Sequence, residues 1–152
     1  MKIIFLDIDG VLNSDIYDRQ RGYSDSNIDA TRLPLLKRLI DETGAKTVLS
    51  SSWREHWSKE EDKMTAVGRE IADTLRSGGI ELYDKTPVMS SRGEEISHWL
   101  SQHPETEGFV ILDDNIFGWG GLSDNVVRTS KSIGRGLEEN HIEDALRILG
   151  KA

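Results

Sequence analysis

Two aspartates separated by one residue follow the first apolar run of the chain. Ile3 to Leu6 lead directly into Asp7, Ile8, Asp9 and Gly10. Such a run is typical of a buried parallel strand, and open α/β sheets bind ligands at the carboxyl ends of their strands. Two carboxylates at that edge concentrate negative charge, which a bound cation would stabilise. Their hard oxygens favour Mg²⁺, which binds one or two protein carboxylates and completes its shell with water and phosphate oxygens.

Further polar residues follow later apolar runs. Ser50 comes after Thr47 to Leu49, and Asp113 and Asp114 come after Phe109 to Leu112. Two basic residues, Lys85 and Arg92, lie between these segments. If the runs are parallel strands, all of these side chains converge at one edge of the sheet.

Apolar runs alternate with helical patterns, which predicts an α/β fold with a mainly parallel sheet and helices on both faces. The five predicted strands are Lys2 to Ile8, Ala45 to Ser50, Ile80 to Tyr83, Phe109 to Asp113, and Val126 to Thr129. The predicted helices are one capped by Asp29 and ending near Gly44, one from a Ser58–Glu61 capping box to about Ser77, one starting at Ser90 or Ser91, and one from Leu137 to Leu149.

Composition bounds the class of protein. With 152 residues the chain can bury one core, and we expect a single domain over residues 1–150. The absence of cysteine excludes disulfides, thiolate catalysis and zinc–thiolate sites. A formal net charge of -8 disfavours broad binding to polyphosphate backbones but leaves room for a small basic pocket. The first apolar run is too short for a signal peptide or membrane span, so we expect no membrane contact. The absence of cysteine agrees with a reducing compartment, and we expect a cytoplasmic protein. No stable partner is evident from the sequence.

The four polar segments together resemble the motifs of the haloacid dehalogenase (HAD) superfamily of phosphohydrolases, and the resemblance covers nearly the whole chain. The motifs are an Asp-x-Asp-Gly strand end, a Ser or Thr strand end, a basic residue and a late acidic pair. More closely, the chain is similar to the phosphatase domains of polynucleotide kinase-phosphatases and of RNA-repair (Swiss Army Knife) proteins. The segments that carry this similarity are Asp7 to Asn13, Ser50 to Arg54, Lys85 to Pro87 with Arg92 and Trp99–Leu100, and Leu112 to Asn115.

The resemblance implies a Rossmann-like three-layer core, a Mg²⁺ cofactor and a two-step phosphoryl transfer. The implied catalytic residues are Asp7 as nucleophile, Asp9 as acid and base, Ser50 as a hydrogen-bond donor to a phosphate oxygen, and Arg92 or Lys85 as the cation. The implied metal ligands are Asp7, the backbone carbonyl of Asp9, and Asp114 supported by Asp113. Gly10, Ser51 and Arg54 are the expected substrate-binding residues.

The spacing leaves little room for a cap domain, because Ser14 to Asn27 can form only a flap. Open members of the superfamily generally accept large substrates, so a phosphorylated RNA or DNA end is the expected substrate. Trp53 and Trp57 beside Arg54 could stack a base, although packing is the more common role of such residues. Two alternatives stay open, a phosphatase of mononucleotides or small metabolites and a noncatalytic phosphate-binding or interaction module.

Overall fold

The computed structural model describes residues 1–152 and contains one five-stranded sheet. Its strands are Lys2–Leu6 (β1), Lys46–Leu49 (β2), Leu82–Lys85 (β3), Gly108–Asp113 (β4) and Val126–Arg128 (β5). They pair in the order β3-β2-β1-β4-β5, and every pair is parallel. The central strand β1 therefore ends between β2 and β4, and residues that follow these three strands are neighbours. The predicted Rossmann-like α/β fold is confirmed, with a sheet that is wholly rather than mainly parallel.

Helices cover both faces of the sheet. They are Asp15–Gln20 (α1), Leu33–Thr43 (α2), Ala66–Ser77 (α3), Arg92–Gln102 (α4) and Glu139–Leu149 (α5). Side chains of β1 alternate between two cores, as the period of two in a strand requires. Ile4 and Leu6 pack in the larger core with α2, α3 and α5, whereas Ile3 and Phe5 pack in the smaller core with α4. This alternation anchors β1 from both sides and fixes the residues that follow it.

The third strand begins two residues later than the sequence predicts. The predicted span began at Ile80, but the backbone N–H of Ile80 donates to the carbonyl oxygen of Leu75 at 3.0 Å and closes the end of α3. The strand then runs from Leu82 to Lys85, so Lys85 lies in the sheet rather than in the loop beyond it.

The predicted capping box at Ser58 and Glu61 is wrong. The helix α3 begins at Ala66, and its cap is Thr65, whose hydroxyl accepts from the N–H of Gly68 at 3.2 Å. A Cβ added at Gly68 would lie 1.8 Å from the carbonyl oxygen of His56. The first turn of α3 is therefore packed against the 3₁₀ turn Ser52–His56, and this tertiary contact determines where the helix starts.

No large cap is inserted at the carboxyl edge of the sheet. The segment between β1 and α2 holds only the short helix α1 and turns, and the segment between β2 and α4 is occupied by two 3₁₀ turns, α3 and β3. None of the helices is long and apolar enough to cross a membrane.

Candidate active site

Three carboxylates meet at the carboxyl end of the central strand. Oxygens of Asp7, Asp113 and Asp114 all lie within 4.8 Å of one another, and Asp7 and Asp113 are buried. The pairing of β1 with β4 produces this cluster, because the N–H of Asp7 donates to the carbonyl oxygen of Leu112 at 3.1 Å. These three aspartates are called the acidic cluster below.

Arg92 is the cation that contacts the acidic cluster. Its Nη1 lies 3.0 Å from Oδ2 of Asp7 and 2.7 Å from Oδ2 of Asp113. Arg92 is the first residue of α4, whose N-cap is Ser91. Gly93 lets this helix end approach the loop after β4, because a Cβ there would lie 2.2 Å from the carbonyl oxygen of Gly118. Helix placement therefore brings the guanidinium between two buried carboxylates.

One guanidinium does not balance three carboxylates in a buried site. Burial and, to a smaller extent, the charge of Asp113 raise the pKa of Asp7 to about 7, although Arg92 opposes both effects. Burial and the charge of Asp113 also raise the pKa of Asp114. These raised pKa values mean that the cluster favours an additional positive charge.

The acidic cluster fits a hard divalent metal ion by its donor set and its packing. Asp114 lies directly over Gly10, where a Cβ would come 2.3 Å from Oδ2 of Asp114. Gly10 has a φ of 80°, a conformation that favours glycine. Three carboxylates whose oxygens lie close to one another suit a hard divalent cation. Only glycine at position 10 leaves room for this arrangement.

Ser50 supplies a buried hydroxyl without a partner. Its backbone N–H donates to the carbonyl oxygen of Leu6 at 2.8 Å, which sets it beside the start of the Asp7 loop. The side chain is 1% exposed, and its Oγ makes no hydrogen bond. An unsatisfied buried hydroxyl costs about 1–3 kcal/mol, so a bound acceptor such as a phosphate oxygen would offset a real penalty.

Asp9 is separated from the acidic cluster. Its Oδ1 accepts a hydrogen bond from Nδ2 of Asn13 at 2.9 Å, and its Oδ2 accepts one from Nε1 of Trp53 at 2.9 Å. Sequence reasoning assigned no site role to Asn13 and considered Trp53 only for packing or stacking. The four-residue spacing of Asp9 and Asn13 is a local signal, whereas the contact with Trp53 spans 44 residues and has none.

Lys85, the rival to Arg92, does not reach the acidic cluster. Its Nζ donates to the carbonyl oxygens of Arg54 at 2.9 Å and of Trp57 at 2.7 Å. These two bonds fasten the end of the 3₁₀ turn that follows β2. The structure thus brings Arg92 and not Lys85 to Asp7.

Arg54 and Ser51 lie beside the site but are occupied by internal contacts. The buried Arg54 pairs with Glu95 at 2.5 Å, and the hydroxyl of Ser51 accepts from the N–H of Trp53 at 3.2 Å. Trp57 is only 5% exposed, so the stacking interpretation is wrong for this residue and the packing interpretation holds. The expected arrangement of two exposed indoles beside Arg54 does not form, because the turn folds back onto the core and buries Trp57.

Thr129 is a further residue of the site that sequence reasoning missed. Its hydroxyl donates to the carbonyl oxygen of Gly10 at 2.5 Å, and its N–H donates to that of Asp113 at 3.0 Å. Thr129 thus ties together the two loops that carry the acidic cluster. Its position directly after β5 was the available signal.

The comparison with protein families agrees with this geometry. A family model described as the HAD domain in Swiss Army Knife RNA repair proteins matches residues 3–142, which include the acidic cluster, Ser50 and Arg92. No curated protein and no solved structure gives a significant match. HAD domains generally use a divalent metal, which the acidic cluster fits, and the family implies a phosphatase-type hydrolase. The predicted resemblance is confirmed, and the chain belongs to the HAD domains of Swiss Army Knife RNA repair proteins.

Proposed function

We propose that the protein is a Mg²⁺-dependent phosphomonoesterase that forms an aspartyl-phosphate on Asp7 and acts on phosphorylated nucleic-acid ends. The observation that carries the proposal is the convergence of Asp7, Asp113 and Asp114 beside the Arg92 guanidinium, next to the unpaired hydroxyl of Ser50. This set combines a nucleophile, a metal-binding group and donors for phosphate oxygens at one edge of the sheet.

Asp7, Asp113, Asp114 and the backbone carbonyl of Asp9 would hold the metal. Bound Mg²⁺ neutralises charge on the substrate phosphate and so removes the repulsion that an anionic nucleophile would meet. Arg92 contributes a second positive charge and donors to the transferring group, and Ser50 donates to a phosphate oxygen. Asp113 also accepts from the N–H of Asn115 at 2.9 Å, which fixes its orientation.

The reaction then proceeds in two displacements at phosphorus. The Asp7 carboxylate forms a bond to phosphorus as the ester P–O bond breaks, and Asp9 gives its proton to the departing oxygen. In the second step Asp9 takes a proton from water, whose oxygen attacks phosphorus and releases inorganic phosphate from Asp7. Asp9 suits both proton transfers because its carboxylate is held apart from the acidic cluster.

The rim of the site supports a large substrate with apolar faces and further negative charge. All the large apolar residues that are exposed lie on loops after the carboxyl ends of strands, namely Tyr23, Val88, Met89, Ile116, Phe117 and Ile133. Three cations that form no ion pair lie at the same edge: Arg128 is the last residue of β5, and Lys131 and Arg135 follow it. Aromatic faces and free cations together suit the bases and phosphates of a single strand.

Phosphate release from an activated aryl phosphate, with and without Mg²⁺, tests the reaction. Wild-type protein should turn over with Mg²⁺ and lose activity when the metal is chelated. Asp7→Asn should lower kcat at least about 1,000-fold because the nucleophile is lost. The matched control is Asp124→Asn, since Asp124 is exposed and precedes β5 at the opposite edge of the sheet. Unchanged activity in Asp7→Asn would exclude the proposed nucleophile.

The substrate is tested by comparing oligonucleotides that carry a 3′- or 5′-phosphate with free mononucleotides. We expect a higher kcat/KM on one of the oligonucleotides, because the open rim offers contacts beyond the scissile phosphate. A preference for mononucleotides or small phosphate esters would identify the alternative phosphatase. Phosphate binding without turnover of any ester would instead identify a noncatalytic module.

A further inference from the structure

We propose that Trp53 is a positioning residue that holds the Asp9 carboxylate in the orientation needed to protonate the leaving oxygen. The inference deepens the proposed function and rests on the role given there to Asp9. It assigns a function to an indole N–H that sits in the turn following the Ser50 strand.

Asp9 is held by two donors, one on each carboxylate oxygen. Nε1 of Trp53 donates to Oδ2 and Nδ2 of Asn13 donates to Oδ1, both at 2.9 Å. Asn13 is itself fixed, because its Oδ1 accepts from the N–H of Gly10 at 2.9 Å and its Nδ2 also donates to the carbonyl oxygen of Asn27 at 3.1 Å. With one donor on each oxygen, the carboxylate cannot rotate about its axis without losing a hydrogen bond.

These two hydrogen bonds from Trp53 and Asn13, called the clamp below, also account for the separation of the two carboxylates in Asp-x-Asp. The oxygens of Asp7 meet those of Asp113 and Asp114, while those of Asp9 meet the donors of Trp53 and Asn13. Each oxygen of Asp9 keeps a second lone pair for a proton or a substrate atom. The indole and the amide therefore keep Asp9 available for proton transfer instead of letting it join the acidic cluster.

The indole is in turn fixed by the 3₁₀ turn on which it lies. At the start of the turn, the hydroxyl of Ser51 accepts a hydrogen bond from the backbone N–H of Trp53 at 3.2 Å. The next residue, Arg54, is paired with Glu95 in a buried contact at 2.5 Å. Lys85 donates to two backbone carbonyl oxygens at the end of the turn, at 2.9 and 2.7 Å.

These contacts connect buried charge with site geometry. Burying an Arg–Glu pair costs desolvation energy, so the pair between Arg54 and Glu95 is better explained by the geometry that it imposes than by stability. Lys85 and Arg54 thus act on the reaction through the turn and not through the phosphate. A displacement of the turn would move the indole away from Asp9.

The test compares Trp53→Phe on substrates that differ in leaving group. Phenylalanine keeps an aromatic ring but lacks the N–H. For an alkyl phosphate, whose leaving oxygen needs a proton, kcat/KM should fall about 10- to 100-fold, within the range of general acid catalysis. For 2,4-dinitrophenyl phosphate, whose leaving group needs no proton, it should change less than about 3-fold. An equal loss on both substrates, or no loss on either, would overturn the proposal.

The ratio of the two kcat/KM values is measured on a single protein sample, so partial unfolding cancels from it. Trp99→Phe is the matched control, because the Nε1 of Trp99 also donates to an aspartate, Asp84, at 2.8 Å, outside the site. This control should leave the ratio unchanged. A benzothienylalanine at position 53, which has the shape of tryptophan without the N–H, repeats the test if the phenylalanine variant does not fold.

A second readout separates this inference from the proposed function. The indole N–H resonance of Trp53 should lie downfield in the NMR spectrum and exchange slowly, and Asp9→Ala should remove both properties. An unshifted, fast-exchanging resonance in wild-type protein would disprove the clamp whatever the activity. If the wild type hydrolyses no ester, the proposed function fails, while the spectrum still decides whether the indole holds Asp9.

Discussion

At the scale of single residues, the site contains two groups that destabilise the free protein and that a bound ligand would stabilise. The hydroxyl of Ser50 is buried with no partner, and burial raises the pKa of Asp7 to about 7. Both features cost stability in the free protein. Such costs are typical of binding and catalytic groups, which are held ready for a substrate and not for the fold.

Ser50→Ala should raise stability and lower activity at the same time. Removal of an unsatisfied hydroxyl should increase the free energy of unfolding by about 1 kcal/mol, while KM for the phosphate ester rises because a donor is lost. Thr47→Val is the matched control, since the hydroxyl of Thr47 is also buried without a partner in β2 but away from the site. Denaturant unfolding should show a gain in both variants, and kinetics a loss only in Ser50→Ala. A marked loss of stability in Ser50→Ala would contradict the prediction.

At the scale of elements, helix ends bring distant side chains to the strand ends. The start of α4 delivers Arg92, and the N–H of Gly93 donates to the carbonyl oxygen of Gly118 at 3.2 Å in the loop after β4. The start of α5 uses a different device, in which Nδ1 of His141 accepts from the N–H of Glu138 at 2.9 Å. The first contact serves the site and the second serves stability.

Gly93→Ala should reduce both activity and stability. The added Cβ would meet the carbonyl oxygen of Gly118 at 2.2 Å, so the end of α4 and the loop must separate and Arg92 must move away from Asp7. We expect a loss of about 2 kcal/mol in the free energy of unfolding and at least a tenfold loss in kcat/KM. Gly121→Ala, where nothing lies within 4 Å of the added atom, should have little effect on either quantity.

The cap of α5 should make stability depend on pH. Burial lowers the pKa of His141 below its usual value of 6.5, and its Nδ1 can accept from Glu138 only while unprotonated. His141 binds a proton more readily in the unfolded chain than in the folded protein. The neutral side chain therefore contributes its full stability above pH 6.5, and this contribution is lost as the pH falls through the lower pKa of the folded state.

The measurement is the free energy of unfolding of wild type minus that of His141→Gln between pH 5 and 7. This difference should shrink toward pH 5, and taking it removes the opposite contribution of the raised carboxyl pKa values of Asp7 and Asp114. His98→Gln serves as the control, because His98 is exposed. A difference that is constant with pH would mean that His141 is not required in its neutral form.

At the scale of the whole molecule, charge and apolar surface are distributed unevenly. The chain carries a formal net charge of -8, yet Arg128, Lys131 and Arg135 lie unpaired within a short segment beside the site. This loop adjoins the acidic cluster, because Nε of Arg128 donates to the carbonyl oxygen of Asp114 at 3.4 Å. An anion longer than a single phosphate would be attracted to these cations on this side of an acidic protein.

Replacement of these three cations by glutamine should lower the preference for long substrates. The ratio of kcat/KM on a phosphorylated oligonucleotide to that on an aryl phosphate should fall about tenfold, with a weaker dependence on salt. Replacement of Lys2, Lys46 and Lys151 removes the same charge at the opposite edge of the sheet, where β1 and β2 begin, and should leave the ratio near its wild-type value. Equal ratios in both triple variants would indicate that net charge, and not this loop, attracts the substrate.

Local sequence patterns determined the strands, their carboxyl ends and the polar residues that follow them. An apolar run identifies a buried strand wherever it lies, and parallel pairing brings strand ends to one edge, so Asp7, Ser50 and the Asp113–Asp114 pair could be grouped in advance. Only the tertiary structure decided which cation reaches Asp7 and which donors hold Asp9. Arg92 and Lys85 both lie between Ser50 and Asp113 in the sequence, so their order along the chain does not separate them. Their positions depend on the packing of α4 and on the register of β3, which local spacing does not encode.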